Sequence, residues 1–245
     1  MKRVLILAGV CVMATSAHAG FMSADFGYQW LSQVSFSTTA GNFTENTARI
    51  YGTRTGGDDT ILPHPNFSFD SYCVELGENI SFGNYTHDVY NLLGSQTDSG
   101  APFGAVHFDA TRTDNLRKLW GNFSVNSLQD AAAFQLAQWE ISFDSDLTLA
   151  QGAGGTYGNA GFMWADLNQG GVYTQAESML SAIRGGTATR MANLVLLSRA
   201  GVQDQIVRLD TPGGPPGTVP EPFTMSLGLA SAGMFIRRRL KAKKA

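Results

Sequence analysis

Apolar and polar positions alternate in short runs through the first hundred residues and then change period. Segments 29–36, 47–53, 67–76 and 84–92 are rich in aromatic and β-branched residues, with Gly, Asn, Ser and Thr between them. That pattern predicts four strands, with a turn at Gly56-Gly57-Asp58-Asp59. From Thr113 the spacing becomes helical. Leu116, Leu119 and Trp120 share one face of a short helix capped by Thr113, with Gly121 just beyond its end. A second helix is predicted from Ser127, with Asp130 three residues on, to about Phe143. After a glycine-rich loop over 152–161, a third starts at Thr174 with Glu177 completing a capping box. Ala176, Met179, Leu180 and Ile183 form its apolar stripe, and Gly185-Gly186 ends it. Segments 193–197 and 203–209 read as two strands paired across 198–202. The order predicts an α+β fold: a β-rich N-terminal part, a helical insertion and C-terminal strands.

Two further apolar runs stand at the chain's ends. Lys2-Arg3, the apolar run from Val4 to Met13 and Ala17-His18-Ala19 have the layout of a secretory signal peptide, so residues 1–19 are expected to leave and the mature chain to begin at Gly20. At the other end, a Pro/Gly linker over 211–218 leads to Val219-Pro220-Glu221-Pro222. An uncharged run over 223–236 and a basic tail with Arg237, Arg238 and Arg239 follow. Motif, apolar run and basic cluster in that order resemble the PEP-CTERM sorting signal of exopolysaccharide-making Gram-negative bacteria. The resemblance covers 219–245. It implies an exosortase-type membrane protease as partner, transient residence in the inner membrane through the C-terminal segment, and delivery to the cell surface or extracellular matrix. The apolar run is expected as a short transmembrane helix, below the roughly 20 residues a full span takes, with flanking arginines reaching to the interface.

The ends change the charge picture. Residues 20–218 hold nine Lys and Arg against nineteen Asp and Glu, whereas the whole chain is only −3. An acidic stretch of about 200 residues fits one domain, or one domain with a smaller subdomain, and disfavours nucleic acid or anionic lipid as partner. Lys118 is its only lysine. Cysteine usage is sharper still. Cys11 lies in the signal peptide, which leaves Cys73 as the one thiol of an exported domain (20–210). It is buried and inert, joined to another chain, or chemically special.

Two segments together favour the last of these. Ser71-Tyr72-Cys73-Val74-Glu75-Leu76 and Ala133-Phe134-Gln135-Leu136-Ala137-Gln138-Trp139-Glu140-Ile141 resemble the paired motifs of the thioester domain of bacterial surface adhesins. There an aromatic-Cys-apolar strand faces an apolar-Gln-x-x-apolar-Trp helix. The resemblance implies a thioester between Cys73 and Gln135, with Tyr72, Phe134 and Trp139 shielding it and an amine-bearing surface or matrix molecule as partner. The chain departs from the motif at Gln138, where an apolar residue is usual, and this leaves Gln138 as a second candidate acyl donor. The chemistry suits the residue types. A thiolate attacks a primary amide held in attack geometry, ammonia leaves, and an incoming amine later opens the acyl bond once. This is a single-turnover crosslink rather than enzymatic turnover.

Two alternatives stay open: a non-covalent biofilm or exopolysaccharide matrix protein with an inert buried Cys73, and a secreted polysaccharide hydrolase. His87 or His107 could serve acyl transfer as a base, or be ordinary core and surface residues. His64, His87 and His107 lack ligand spacing and one Cys cannot build a zinc site, so neither metal nor cofactor is expected. Asp144 and Asp146 read as a solvated helix end. Asp204 reads as a turn cap, with calcium binding as the alternative.

Overall fold

Every strand among the described residues pairs antiparallel, and all but one of them close a ring. The computed structural model describes residues 18–38, 41–58, 66–76, 83–97, 105–143, 146–149, 162–164 and 170–209. The elements, in chain order, are β1 (His18–Thr38), β2 (Gly41–Gly57), β3 (Ser68–Cys73), β4 (Gly83–Asn91), α1 (Ala110–Asn122), α2 (Leu128–Phe143), β5 (Phe162–Trp164), α3 (Gly170–Arg184), β6 (Leu194–Arg199) and β7 (Val202–Arg208). Strand order is β2-β3-β7-β6-β4-β1, and β1 pairs back to β2. Six strands therefore close into a barrel, which leaves no open edge along the ring. With three helices inserted between β4 and β6, the fold is α+β.

The β1–β2 hairpin is longer than the barrel needs. β1 pairs with β4 over His18 to Phe26, and β2 pairs with β3 over Ile50 to Thr53. The ribbon then continues to Thr38↔Gly41 and carries β5 on its far end through Phe36↔Trp164. α2 packs against this ribbon, β3, β5, α1 and α3. Enclosed in this way, it is buried at every position from Ala131 to Ser142. A helix with no solvated face must be apolar all round or give each polar side chain a partner. α2 carries Gln135, Gln138 and Glu140, so where their bonds go is the central question of the fold.

The helix starts show why local signals mislead. α2 begins where the sequence places it. Ser127 Oγ accepts from Asp130 N–H and Asp130 Oδ2 accepts from Ser127 N–H, both at 3.0 Å. α1 instead starts at Ala110, because the Asp109 side chain accepts the Arg112 N–H at 2.8 Å. Thr113 is then a buried residue inside the helix, and Gly121 lies in the last turn rather than after it. A Cβ at Gly121 would stand 2.5 Å from the Arg190 carbonyl oxygen, so this glycine serves close packing. α3 starts at Gly170, four residues before Thr174. Glu177, expected in a capping box, instead accepts from the Leu149 N–H at 2.9 Å and pairs with Arg184 at 3.2 Å. A tertiary partner took it. The stripe Ala176, Met179, Leu180 and Ile183 is buried, and the turn at Gly185-Gly186 follows, with Gly186 at φ 73°. Gly56 and Gly57, expected as a turn, end β2.

The expectation of a transmembrane helix is corrected. No helix among the described residues is long and apolar enough to cross a membrane. The segment to which the sequence assigned it, 223–236, lies outside the described residues, as do the signal-peptide run 1–17, the loop 152–161, the linker, the Val219–Pro222 motif and the Arg237–Arg239 cluster. β1 starts at His18, two residues before the expected mature start, and His18 Nε2 contacts Asp88 Oδ1 at 3.2 Å.

Candidate functional site

β3 outruns its partner. Its ladder with β2 ends at Ile50↔Ser71, while the ladder with β7 continues to Cys73↔Gln205 and Val74 N–H donates to Asp204 O at 3.0 Å. Backbone groups along a strand point to alternate edges, so the Cys73 N–H and C=O face the side where β2 is no longer paired. Left unpaired in a buried position they would cost about 1–3 kcal/mol each. The α2 glutamines take the place of the missing strand. Gln135 Oε1 accepts from the Cys73 N–H at 3.0 Å and Gln135 Nε2 donates to the Cys73 carbonyl at 2.8 Å. One turn on, Gln138 Nε2 donates to Cys73 O at 3.0 Å and to Tyr72 O at 3.1 Å. Gln138 Oε1 accepts from the Trp120 indole at 2.9 Å.

Both candidate acyl donors therefore meet on Cys73. Gln135 is 1% exposed and Gln138 fully buried. Cys73 is the free cysteine of the described residues and is buried. Burial pushes its thiol well above the ordinary value, with Glu45 and Glu75 adding in the same direction. The aromatic wall is Tyr72, Trp120 and Phe134. The Tyr72 and Phe134 rings are 4.8 Å apart, Trp120 and Phe134 meet edge-on at 5.1 Å, and Tyr72 and Trp120 at 5.5 Å. Trp139 is buried on α2, four residues after Gln135. Trp120 is the member that sequence reasoning missed. It was assigned to a helix stripe, and only the α1–α2 packing brings its N–H to Gln138.

The segment after Cys73 is latched to β7. Gln203 Nε2 donates to the Glu75 carbonyl at 2.7 Å, and the Asp204 N–H to Glu75 Oε2 at 3.0 Å. Opposite Cys73 in register, Gln205 accepts from the Ser71 hydroxyl. Asp204 Oδ1 accepts from the Arg199 N–H at 3.2 Å, which is the turn-cap role. Asp146 Oδ1 accepts from Thr148 N–H at 3.0 Å, and Asp144 lies outside the described residues. Among the described residues no three His, Cys, Asp or Glu side chains group as a metal site.

The histidines fall elsewhere. His64 lies outside the described residues, and His107 is exposed. His87 is 2% exposed on β4, edge-on to Phe26 at 5.1 Å, with no hydrogen bond of normal geometry to either ring nitrogen. β3 and β4 stand three strands apart in the ring either way round. Burial and the nearby Arg199 lower the His87 pKa to about 4. A neutral imidazole is thus part of the folded state. Its contribution is complete above about pH 6.5, the unfolded value, and is lost as pH falls toward 4, reaching about 3 kcal/mol. Urea midpoints at pH 7.5, 5.5 and 4 check this: His87→Phe should flatten the decline over that window, and an undiminished decline would refute it.

No known protein-family model matches the chain, and no curated protein or solved structure does either.

Proposed function

We propose that this is an exported cell-surface or matrix protein whose Cys73 sulfur and Gln135 side-chain carbonyl join as an internal thioester, which then captures an amine on a partner molecule. The observation that carries the reading is the double hydrogen bond between the Gln135 carboxamide and Cys73, at 3.0 and 2.8 Å. A primary amide is a poor electrophile, and holding it against the nucleophilic residue is the way a fold overcomes that. The surroundings suit an acyl bond that must outlast exposure to water: a buried helix and three packed rings. A thioester-domain-like fold belongs to the same proposal, with the barrel supplying the Cys strand and α2 the Gln helix. The PEP-CTERM-like tail supplies the route to the surface and an exosortase-type protease as processing partner.

A second reading has its own observation. The Gln135 carboxamide already answers the two backbone groups that β2 leaves unpaired, and the thiol is protonated in its buried setting. On this reading Cys73 is inert and the protein is a non-covalent matrix component. Intact mass decides between them. The thioester protein weighs one ammonia less than its mature sequence, has no alkylatable thiol, and on incubation with methylamine gains one methylamine and one free thiol. A protein at full sequence mass with a thiol that alkylates after unfolding leaves the second reading.

A further inference from the structure

We propose that Gln138, the residue that departs from the thioester motif, is a positioning residue: it holds the Cys73 peptide in place while Gln135 gives up its amide nitrogen. The proposal rests on the thioester reading above. When Cys73 Sγ adds to the Gln135 side-chain carbon, an S–C bond forms and the C–N bond breaks. The thiol proton passes to the departing nitrogen, which leaves as ammonia, and nothing is oxidised or reduced. Departure of Nε2 removes the 2.8 Å donor to the Cys73 carbonyl, inside a core where water does not replace it. Gln138 already donates to that same oxygen at 3.0 Å, and to the neighbouring Tyr72 carbonyl at 3.1 Å. The carbonyl therefore keeps a partner before and after the reaction.

Gln138 is oriented for this role by a group that can only donate. The Trp120 indole N–H at 2.9 Å requires an acceptor, so Gln138 turns Oε1 to Trp120 and its NH₂ to β3. The other half of the Gln135 contact also survives. The Cys73 N–H points at Gln135 Oε1, the atom on which negative charge develops as sulfur adds, and so acts as an oxyanion donor in both formation and opening. Gln138 keeps the strand peptide still enough for that donor to remain aimed. The roles of the two glutamines divide accordingly: Gln135 reacts, and Gln138 holds.

Gln138→Glu keeps an acceptor for Trp120 and removes the donors to β3; Gln138→Met removes both. Both are made in the full chain. Ammonia loss is followed by intact mass in freshly folded protein, with the urea midpoint measured in parallel. The expected result is a fall of about tenfold or more in the rate of ammonia loss in either variant, with the slow rate persisting in the fully folded fraction. A merely structural glutamine would move the midpoint and leave that rate alone. Wild-type ammonia loss with an unchanged rate in folded variants overturns this proposal and leaves the thioester standing. A wild type that never loses ammonia overturns both. Should the variants fail to fold, the wild type answers alone. Peptide mapping after methylamine should place the adduct on Gln135, and the Gln138 side-chain NH₂ should stay protected from hydrogen exchange once the thioester has formed. An adduct on Gln138, or rapid exchange there, overturns the assignment.

Discussion

Opening the crosslink with methylamine should lower the stability of the folded protein by about 4 kcal/mol, and Cys73→Ala should start from that lowered value. The crosslink would join residues 62 apart in sequence. Closing a loop of that length removes unfolded-state entropy worth about 4 kcal/mol on the scale established for disulfides. The cysteine side chain itself is a small apolar group, and its replacement by alanine costs about 1 kcal/mol of burial. In Cys73→Ala the Gln135 amide stays intact and still answers the Cys73 backbone. That variant should therefore lie within about 1 kcal/mol of the methylamine-opened wild type in urea, take up no methylamine, and weigh what its sequence predicts. Gln135→Leu should also take up none, but it leaves the Cys73 N–H buried without an acceptor and falls lower by about 1–3 kcal/mol. Its carbonyl keeps Gln138. Methylamine uptake by Cys73→Ala would end the thioester reading. Equal stability in Gln135→Leu and Cys73→Ala would show that the glutamine does not replace the missing strand.

The contrast between these variants turns on what the linear sequence exposes. The hairpin β6–β7, strands β3 and β4, and the Ser127–Asp130 start of α2 all follow from neighbours within a few residues, and they were legible. The start of α1 was misplaced: the sequence assigned the cap to Thr113, four residues past the Asp109 that fills it. Closure of the barrel was not legible, because β1 meets β4 through pairs such as Met22↔His87, far apart in sequence. The half of β1 before residue 29 alternates Met22, Ala24 and Phe26 inward, too weak a period beside glycine and serine to declare a strand. In the site, Cys73 and Gln135 were singled out by a resemblance. The surplus polar residue on α2, Gln138, looked like a departure. Its partners lie on α1 and β3, and a buried amide with all its bonds made gives no sign of that in the sequence around it.

Phe134→Ala should separate shielding of the bond from simple packing. Phe134 is 1% exposed and touches both other rings of the wall, Tyr72 at 4.8 Å and Trp120 at 5.1 Å. Removing a buried aromatic ring costs about 3–5 kcal/mol, which in a domain of this size lowers Tm by about 10 °C. On the thioester reading the ring covers the acyl bond, so its removal lets water reach the acyl carbon. A thioester formed there should hydrolyse, so mass spectrometry should find a free thiol and a carboxyl in place of the Gln135 amide, with methylamine uptake lost even at temperatures where the variant is folded. Leu136→Ala supplies the control. Leu136 is fully buried on a different face of α2, and its truncation costs about 2–5 kcal/mol. If both variants lose the same stability and only Phe134→Ala hydrolyses, the ring keeps water from the bond. If Leu136→Ala hydrolyses as fast, loss of stability alone accounts for the leak, and the aromatic wall has no separate part in protecting it.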